Sequence, residues 1–413
     1  MRPRILLIAD WYLPGYKAGG IITALANFVD GVGDEFDLRV VTRDRDLTDS
    51  EPYAGVVAGE WQAIGKARVL YIHDFSLAHL RHRIAGTQPD IVYLNSFFSP
   101  LTAKTLALRR LGLLPPAAFA IAPRGEFSRS ALRIKRRKKS IYAAAALRAG
   151  LYDGILWHAT SSPEGAAIES FLRMHARQNP RIGISPDLPN RDWFAHGVNA
   201  ADRPPKSSPV KFLFLSRIGP MKNLQFALDA LASLSAPAEL HIYGPIDDPP
   251  YWDECQRRIA ALPQNVRATY HGAVARELVP SIFRAHDFLL LPTEGENFGY
   301  VLLESLTAGC PVIVSDRTTW RDLHDKGVGW AIPLEDRASW RQTLASCAEM
   351  DSPTHAAMSL RAREYVQAWL AQSDPRTATT EMFQSLVEKH APSEPAAAIP
   401  AAVVAGATRS KSI

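Results

Sequence analysis

Glu296 and Glu304 stand with seven residues between them in Glu294-Gly295-Glu296-Asn297-Phe298-Gly299-Tyr300-Val301-Leu302-Leu303-Glu304, just after the apolar run Phe288–Leu291. The pattern predicts a strand, a loop, and a helix that opens near Phe298 or Gly299, leaving Glu296 in the loop. The first N–H groups of a helix have no partner within it, so those of Gly299, Tyr300 and Val301 form an anion site. Glu304, five residues past Gly299, lies about 7.5 Å further along the axis at 1.5 Å per residue. A diphosphate on the helix tip would then have a carboxylate on either side, suited to hydroxyls of two different sugar rings.

A second cluster, Phe214-Leu215-Ser216-Arg217-Ile218-Gly219-Pro220-Met221-Lys222-Asn223, follows another apolar run. Arg217 is expected at the end of a strand and Lys222 at the opening of a helix. Two cations there would clamp a phosphate as charge develops on it. Either cluster alone has a plainer reading as surface charge at a helix start. Together, both after strands in one half of the chain, they favour the anion site. The carboxylate pair could also serve as acid and nucleophile of a glycosidase, which needs about 5–5.5 Å or 6.5–9.5 Å between them. That reading leaves Arg217 and Lys222 without a task and is the weaker one.

The elements that must position these groups alternate along the chain. Strands are expected at Arg4–Ala9, Leu38–Thr42, Arg68–Ile72, Asp90–Leu94, Phe119–Ala122, Ile155–Ala159 and Arg181–Ile184, with helices such as Gly20–Val29, Thr102–Leu111 and Pro163–Met174 between them. Three prolines and two serines at 201–209 read as a hinge, after which strands and helices alternate again to Val314. Beyond about Ser339 the pattern is helical, and from Pro392 it is Ala, Pro, Val and Ser, read as a disordered tail. Alternation of this kind implies an α/β chain with parallel sheets and right-handed crossovers. The expected division is a first doubly wound domain over 1–200, a hinge over 201–209, a second doubly wound domain over 210–354, helices over 355–390 crossing back to the first domain, and a tail over 391–413. Ligands of such sheets lie at the carboxyl ends of the strands, which is where both clusters fall.

This combination resembles the family-4 retaining glycosyltransferases of the GT-B fold, also called glycosyl transferases group 1. The residues that carry it are Glu296-x7-Glu304 with Phe298-Gly299, and Ser216-Arg217 with Lys222-Asn223. Ile242-Tyr243-Gly244, Tyr270-His271-Gly272 and Ala308-Gly309-Cys310-Pro311-Val312-Ile313 leading to Asp316 support it. Lys17-Ala18-Gly19-Gly20 is similar to that family's glycine-rich first loop. Pro123-Arg124-Gly125-Glu126 with Lys138-Lys139 is similar to the branch that builds bacterial exopolysaccharide, lipopolysaccharide or capsule. The resemblance covers roughly residues 4–390 and is tightest between Val210 and Ile332.

The resemblance implies two Rossmann-like domains facing a cleft and transfer, with retention, from a nucleotide-diphospho-sugar to a saccharide or lipid-linked saccharide. Arg217, Lys222 and Glu296 would be catalytic. The two cations would neutralise the departing diphosphate in place of a metal, so no cofactor is expected. Gly19, Gly20, Gly272, Ala273, Phe298, Gly299, Tyr300, Val301 and Glu304 would bind the donor: Glu304 at the ribose, Gly272 and Ala273 at the base, and the two glycines of the first loop closing over it. Arg124 and Glu126 are the candidates on the acceptor side. There, relatives often carry a histidine that this chain replaces with Asn95-Ser96 and Pro123-Arg124-Gly125. An epimerase or phosphorylase on the same scaffold, or a non-enzymatic binding module, are the alternatives.

Other features carry less. Asp44-Arg45-Asp46 spells a manganese-binding motif of a different transferase fold, but its charged surroundings read as a solvated loop. His158, His196 and His271 read as structural. The segment 133–139 holds six cations in seven residues beside apolar Ile141 and Tyr142, which suits an anionic membrane surface better than nucleic acid. The 413 residues carry a net charge of +5, and three cysteines without metal-ligand spacing favour a reducing compartment. With no export signal read at Arg4–Ala9 and no long apolar run, a cytoplasmic protein, peripheral on the inner face of the membrane, is the expectation.

Overall fold

The computed structural model describes residues 2–133, 136–175, 180–190 and 204–390. Its first sheet comprises β1 (Arg4–Ile8), β2 (Asp37–Arg43), β3 (Trp61–Ile64), β4 (Ala67–Ile72), β5 (Ile91–Asn95), β6 (Ala118–Ala122), β7 (Leu156–Ala159) and β8 (Arg181–Ile184). They lie in the order β3-β4-β2-β1-β5-β6-β7-β8, all parallel except that β3 pairs antiparallel with β4. Side chains alternate across a strand, so an all-apolar run must be covered on both faces. Ile5 and Leu7 of β1 accordingly pack with helix Gly20–Val32, while Leu6 and Ile8 pack on the other face with helices Leu77–Thr87, Pro100–Arg110, Arg136–Arg148 and Ser162–His175.

The second sheet comprises β9 (Val210–Leu215), β10 (Ala238–Tyr243), β11 (Val266–Tyr270), β12 (Phe288–Leu291), β13 (Val312–Ser315) and β14 (Gly329–Ile332), all parallel, in the order β11-β10-β9-β12-β13-β14. This is the doubly wound order of nucleotide-binding sheets, with its topological switch between β9 and β12. The corresponding switch of the first sheet lies between β1 and β5. The loops that leave these four strands meet in one cleft.

Of the predicted strands, all recur within about a residue. Three expectations are corrected. Edge strand β3 and strand β14 are present where no strand was expected. Helix Ser352–Ser373 stays with the second domain, packed on helix Tyr300–Thr307. Only helix Pro375–Glu388 returns to the first, after the chain turns at Asp374 (φ +31°). There Phe383 enters an aromatic cluster, 5.3 Å from Phe28 and 5.0 Å from Tyr93 between ring centres. Arg376 pairs with Glu35 at 2.5 Å, and the hydroxyls of Thr379 and Ser185 share a 2.6 Å hydrogen bond. The described part of the expected hinge, 204–209, is bound to the second domain: Ser207 donates its N–H to Asp287, and Lys206 donates to the Ala348 carbonyl. The tail, His196 and part of the basic run lie outside the described residues.

Candidate active site

The cleft has a volume of about 740 Å³ and is lined from both domains. Its floor on the second domain is two loops stitched together. Glu294 donates its N–H to the Met221 carbonyl at 2.8 Å, and the Thr293 hydroxyl donates to the same oxygen at 3.0 Å. The stitch brings the Lys222 ammonium to 2.5 Å from a Glu296 carboxylate oxygen. The Glu294–Gly299 loop is held from behind, since Glu296 donates its N–H to the Arg317 carbonyl and the Trp320 indole donates to the Phe298 carbonyl.

Helix Tyr300–Thr307 opens one residue later than expected, with Gly299 at φ +81° as its N-cap. Among the described residues, the N–H groups of Gly299, Tyr300 and Val301 donate to no backbone or side-chain acceptor, while those of Leu302 and Leu303 bond the Gly299 carbonyl. The helix tip therefore faces the cleft with its donors free, beside the Lys222–Glu296 pair.

Arg217 lies two residues past the end of β9 rather than at it, and Lys222 two residues before helix Leu224–Leu231. Gly244 shows why the Ser216-Arg217 turn pairs with Tyr243-Gly244: a Cβ there would lie 1.9 Å from the Ser216 carbonyl oxygen, a contact only glycine avoids. The Arg217 guanidinium reaches Asp247 at 3.1 Å in an exposed pair and stands across from Gly19, whose missing Cβ would lie 3.8 Å from its Nε. Gly19 and Gly20 thus form the opposite lip. Their loop is anchored by Asp46, whose carboxylate accepts the N–H groups of Tyr16 at 2.7 Å and Lys17 at 3.0 Å. The solvated-loop reading of Asp44-Arg45-Asp46 is corrected: Asp44 and Asp46 are only 4% and 5% exposed and accept hydrogen bonds from their own domain.

Glu304 lines the cleft one helical turn inward. Burial raises its carboxyl to about 7, against a smaller opposing pull from Arg276. Arg276, unforeseen in the sequence, donates to Asn27 of the first domain at 2.6 Å. The wall expected from Gly272 and Ala273 is formed instead by Val274, Ala275, Arg276 and Glu277. The chain leaves β11 and needs those extra residues to reach the cleft.

On the acceptor side, Arg124 and Glu126 line the cleft but are engaged by their own domain. The Arg124 guanidinium pairs with buried Asp187 and donates to the Tyr93 hydroxyl and the Asn95 amide oxygen. Burial works against its charge, yet the Asp187 carboxylate outweighs this and raises the group above the usual arginine range. Glu126 accepts from the Ser96 hydroxyl at 2.6 Å and the Phe97 N–H at 2.5 Å, and burial still pushes its carboxyl up. His158 is structural: Nε2 donates to the Ser185 carbonyl and Nδ1 faces the Tyr93 hydroxyl, in a burial that lowers it to about 4. His271 lies outside the cleft, stacked between Tyr243 and His241.

Residues 199–365 match the family described as glycosyl transferases group 1. A phosphatidyl-myo-inositol mannosyltransferase of Mycobacterium leprae (strain TN) is 30% identical over 215 residues, which are 50% of this chain and 55% of that protein. The chain thus aligns with about half the length of this curated relative. Sucrose-phosphate synthase from Thermosynechococcus elongatus superposes with a TM-score of 0.65 at 16% identity, covering 94% of this chain and 100% of that one. HepE of Anabaena, solved in complex with UDP and glucose, superposes at 0.63 with 16% identity over the same shares. Residues 199–365 are thus similar to the glycosyl transferases group 1, and the two domains together have the GT-B fold.

Proposed function

We propose that the protein transfers a sugar, with retention of anomeric configuration and without a metal, from a nucleotide-diphospho-sugar to a saccharide or lipid-linked saccharide of a bacterial surface polysaccharide. One observation carries the proposal: Lys222, Glu296 and the free N–H groups of the Gly299 helix tip converge in a cleft between two domains, with Arg217 at its mouth. The leaving diphosphate gains negative charge as the glycosidic bond breaks. Fixed cations and oriented N–H groups lower the barrier in proportion to that charge. In this role Arg217 and Lys222 take the phosphates, Glu296 a sugar hydroxyl and Glu304 the ribose. HepE supports a donor of this class, since it holds UDP and glucose in the same fold.

Calorimetry of the protein with UDP-, GDP- and ADP-sugars tests the reading, and product NMR reports the anomeric configuration. Binding of one nucleotide class, with slow donor hydrolysis, is expected; indifference to all three removes the proposal. An epimerase would convert the sugar nucleotide without acceptor, and a phosphorylase would need free phosphate.

A peripheral membrane role is part of the proposal. Arg133, Arg136, Arg137, Lys138 and Ile141 are exposed around the start of helix Arg136–Arg148, with no acidic residue among them, and no helix of the described residues is long and apolar enough to cross a membrane. Co-sedimentation with vesicles containing phosphatidylglycerol, but not with neutral vesicles, is the expected result.

A further inference from the structure

Glu164 received no role from the sequence, yet it joins the two loops on which the proposed chemistry depends. It is buried in the first turn of helix Ser162–His175. Two bonds are ordinary: Oε2 accepts the Thr160 N–H and the Thr160 hydroxyl, both at 2.7 Å, as a capping carboxylate reaches back from a helix start. The others leave the helix. Oε1 accepts the Gly125 N–H at 2.6 Å. Oε2 also accepts from the Asn297 side-chain amide at 3.1 Å, and that amide lies 3.0 Å from the Thr160 hydroxyl. Gly125 and Asn297 touch directly, since a Cβ on Gly125 would fall 2.8 Å from the Asn297 Cβ.

Gly125 lies between Arg124 and Glu126, the acceptor-side candidates; Asn297 lies between Glu296 and Phe298 on the donor side. A single buried carboxylate therefore holds the middle residue of each triplet, one from each domain. Resting on the transferase reading of the cleft, we propose that Glu164 is a positioning residue: with Asn297 it latches the two domains and sets the acceptor loop in register with the donor loop.

The pair makes the latch testable without knowing the acceptor. Asn297→Asp sets carboxylate against carboxylate across a buried contact. In the full chain it should increase the radius of gyration measured by small-angle scattering, and lower donor turnover more than tenfold. Affinity for whichever of UDP, GDP or ADP binds the wild type should stay within about threefold, because the anion-binding groups are elsewhere. A merely structural role would depress affinity and turnover together. Asn297→Ala, which deletes the amide without adding a second carboxylate, should show the same split between affinity and turnover with a smaller expansion. Scattering identical to wild type for Asn297→Asp, or affinity lost in step with turnover, overturns the proposal. If circular dichroism shows that Asn297→Asp does not fold, Asn297→Ala deletes only the amide and is judged by the same comparison with wild type. If none of the three nucleotides binds wild type, the transferase reading falls, and the scattering still decides the latch.

Discussion

The two walls of the cleft are built on opposite principles. On the second domain, Lys222 and Glu296 form one largely buried pair, but the helix-tip N–H groups donate to no acceptor among the described residues and Arg217 meets Asp247 near solvent. On the first domain, Arg124 and Glu126 are saturated by partners of their own lobe. A wall with unspent donors can receive a charged ligand without rearranging. A wall whose charges are already paired offers shape and a fixed field, and gives up a contact only by breaking one. Under the proposed transferase function, the contrast suits a donor of fixed diphosphate chemistry on one side and an acceptor selected by fit on the other.

The largest effect that would sharpen this contrast is on stability. Arg124→Met strands Asp187 in the interior, and should destabilise the fold by about 3–5 kcal/mol in urea titration. Lys222→Met should leave stability nearly intact and reduce turnover about 10²–10³-fold, as the loss of one fixed transition-state donor does. If instead Arg124→Met unfolds no more easily than Lys222→Met, the two walls are alike.

Glu304 gives the next test, through pH. Its folded value of about 7 lies above the 4.5 of the free side chain, so its contribution to stability is intact at low pH and is lost as pH rises through 7. Glu304→Gln removes that penalty, and should gain on the order of 3 kcal/mol relative to wild type between pH 4 and pH 8. A carboxylate that accepts ribose hydroxyls must be ionised, so nucleotide affinity of the wild type should rise from pH 6 to pH 8 and become flat in the variant. A flat profile in the wild type would remove Glu304 from the ribose. The smallest effect is expected at Asp46→Ala, which releases the loop carrying Gly19: about 1–2 kcal/mol of stability, read by thermal unfolding, as the N–H groups of Tyr16, Lys17 and Leu47 exchange the carboxylate for water.

How much of this was legible in the sequence follows from distance along the chain. Most strands of both sheets are continuous apolar runs, and each of the two second-domain clusters is local, confined to one strand end and the helix after it. Residue types and spacing therefore suffice to bring Arg217, Lys222, Glu296 and Glu304 to one cleft. Strand β3, Trp61-Gln62-Ala63-Ile64, is short, interrupted by polar Gln62 and nowhere fully buried; it lies at a sheet edge and carries no such run. Glu164, Arg276 and Asp187 were not found, and Asp46 was read as solvated, because their partners lie far away in sequence: Arg276 meets Asn27, Glu164 meets Asn297, and Asp46 meets Tyr16 and Lys17. No local pattern marks a residue whose function is to bridge two lobes. The fate of Arg124 was hidden for the same reason, since it is Asp187 that determines it.

Phe383 has a consequence for how the molecule is made. The aromatic cluster around Phe28 and Tyr93 belongs to the first lobe, but the ring that fills it is delivered by helix Pro375–Glu388. A ribosome must therefore translate past the second lobe before the first can acquire its complete interior, and the lobe that starts earlier is finished later. A fragment ending before Pro375 should expose that apolar hollow and aggregate, whereas the same fragment supplied with Pro375–Glu388 as a separate peptide should recover solubility.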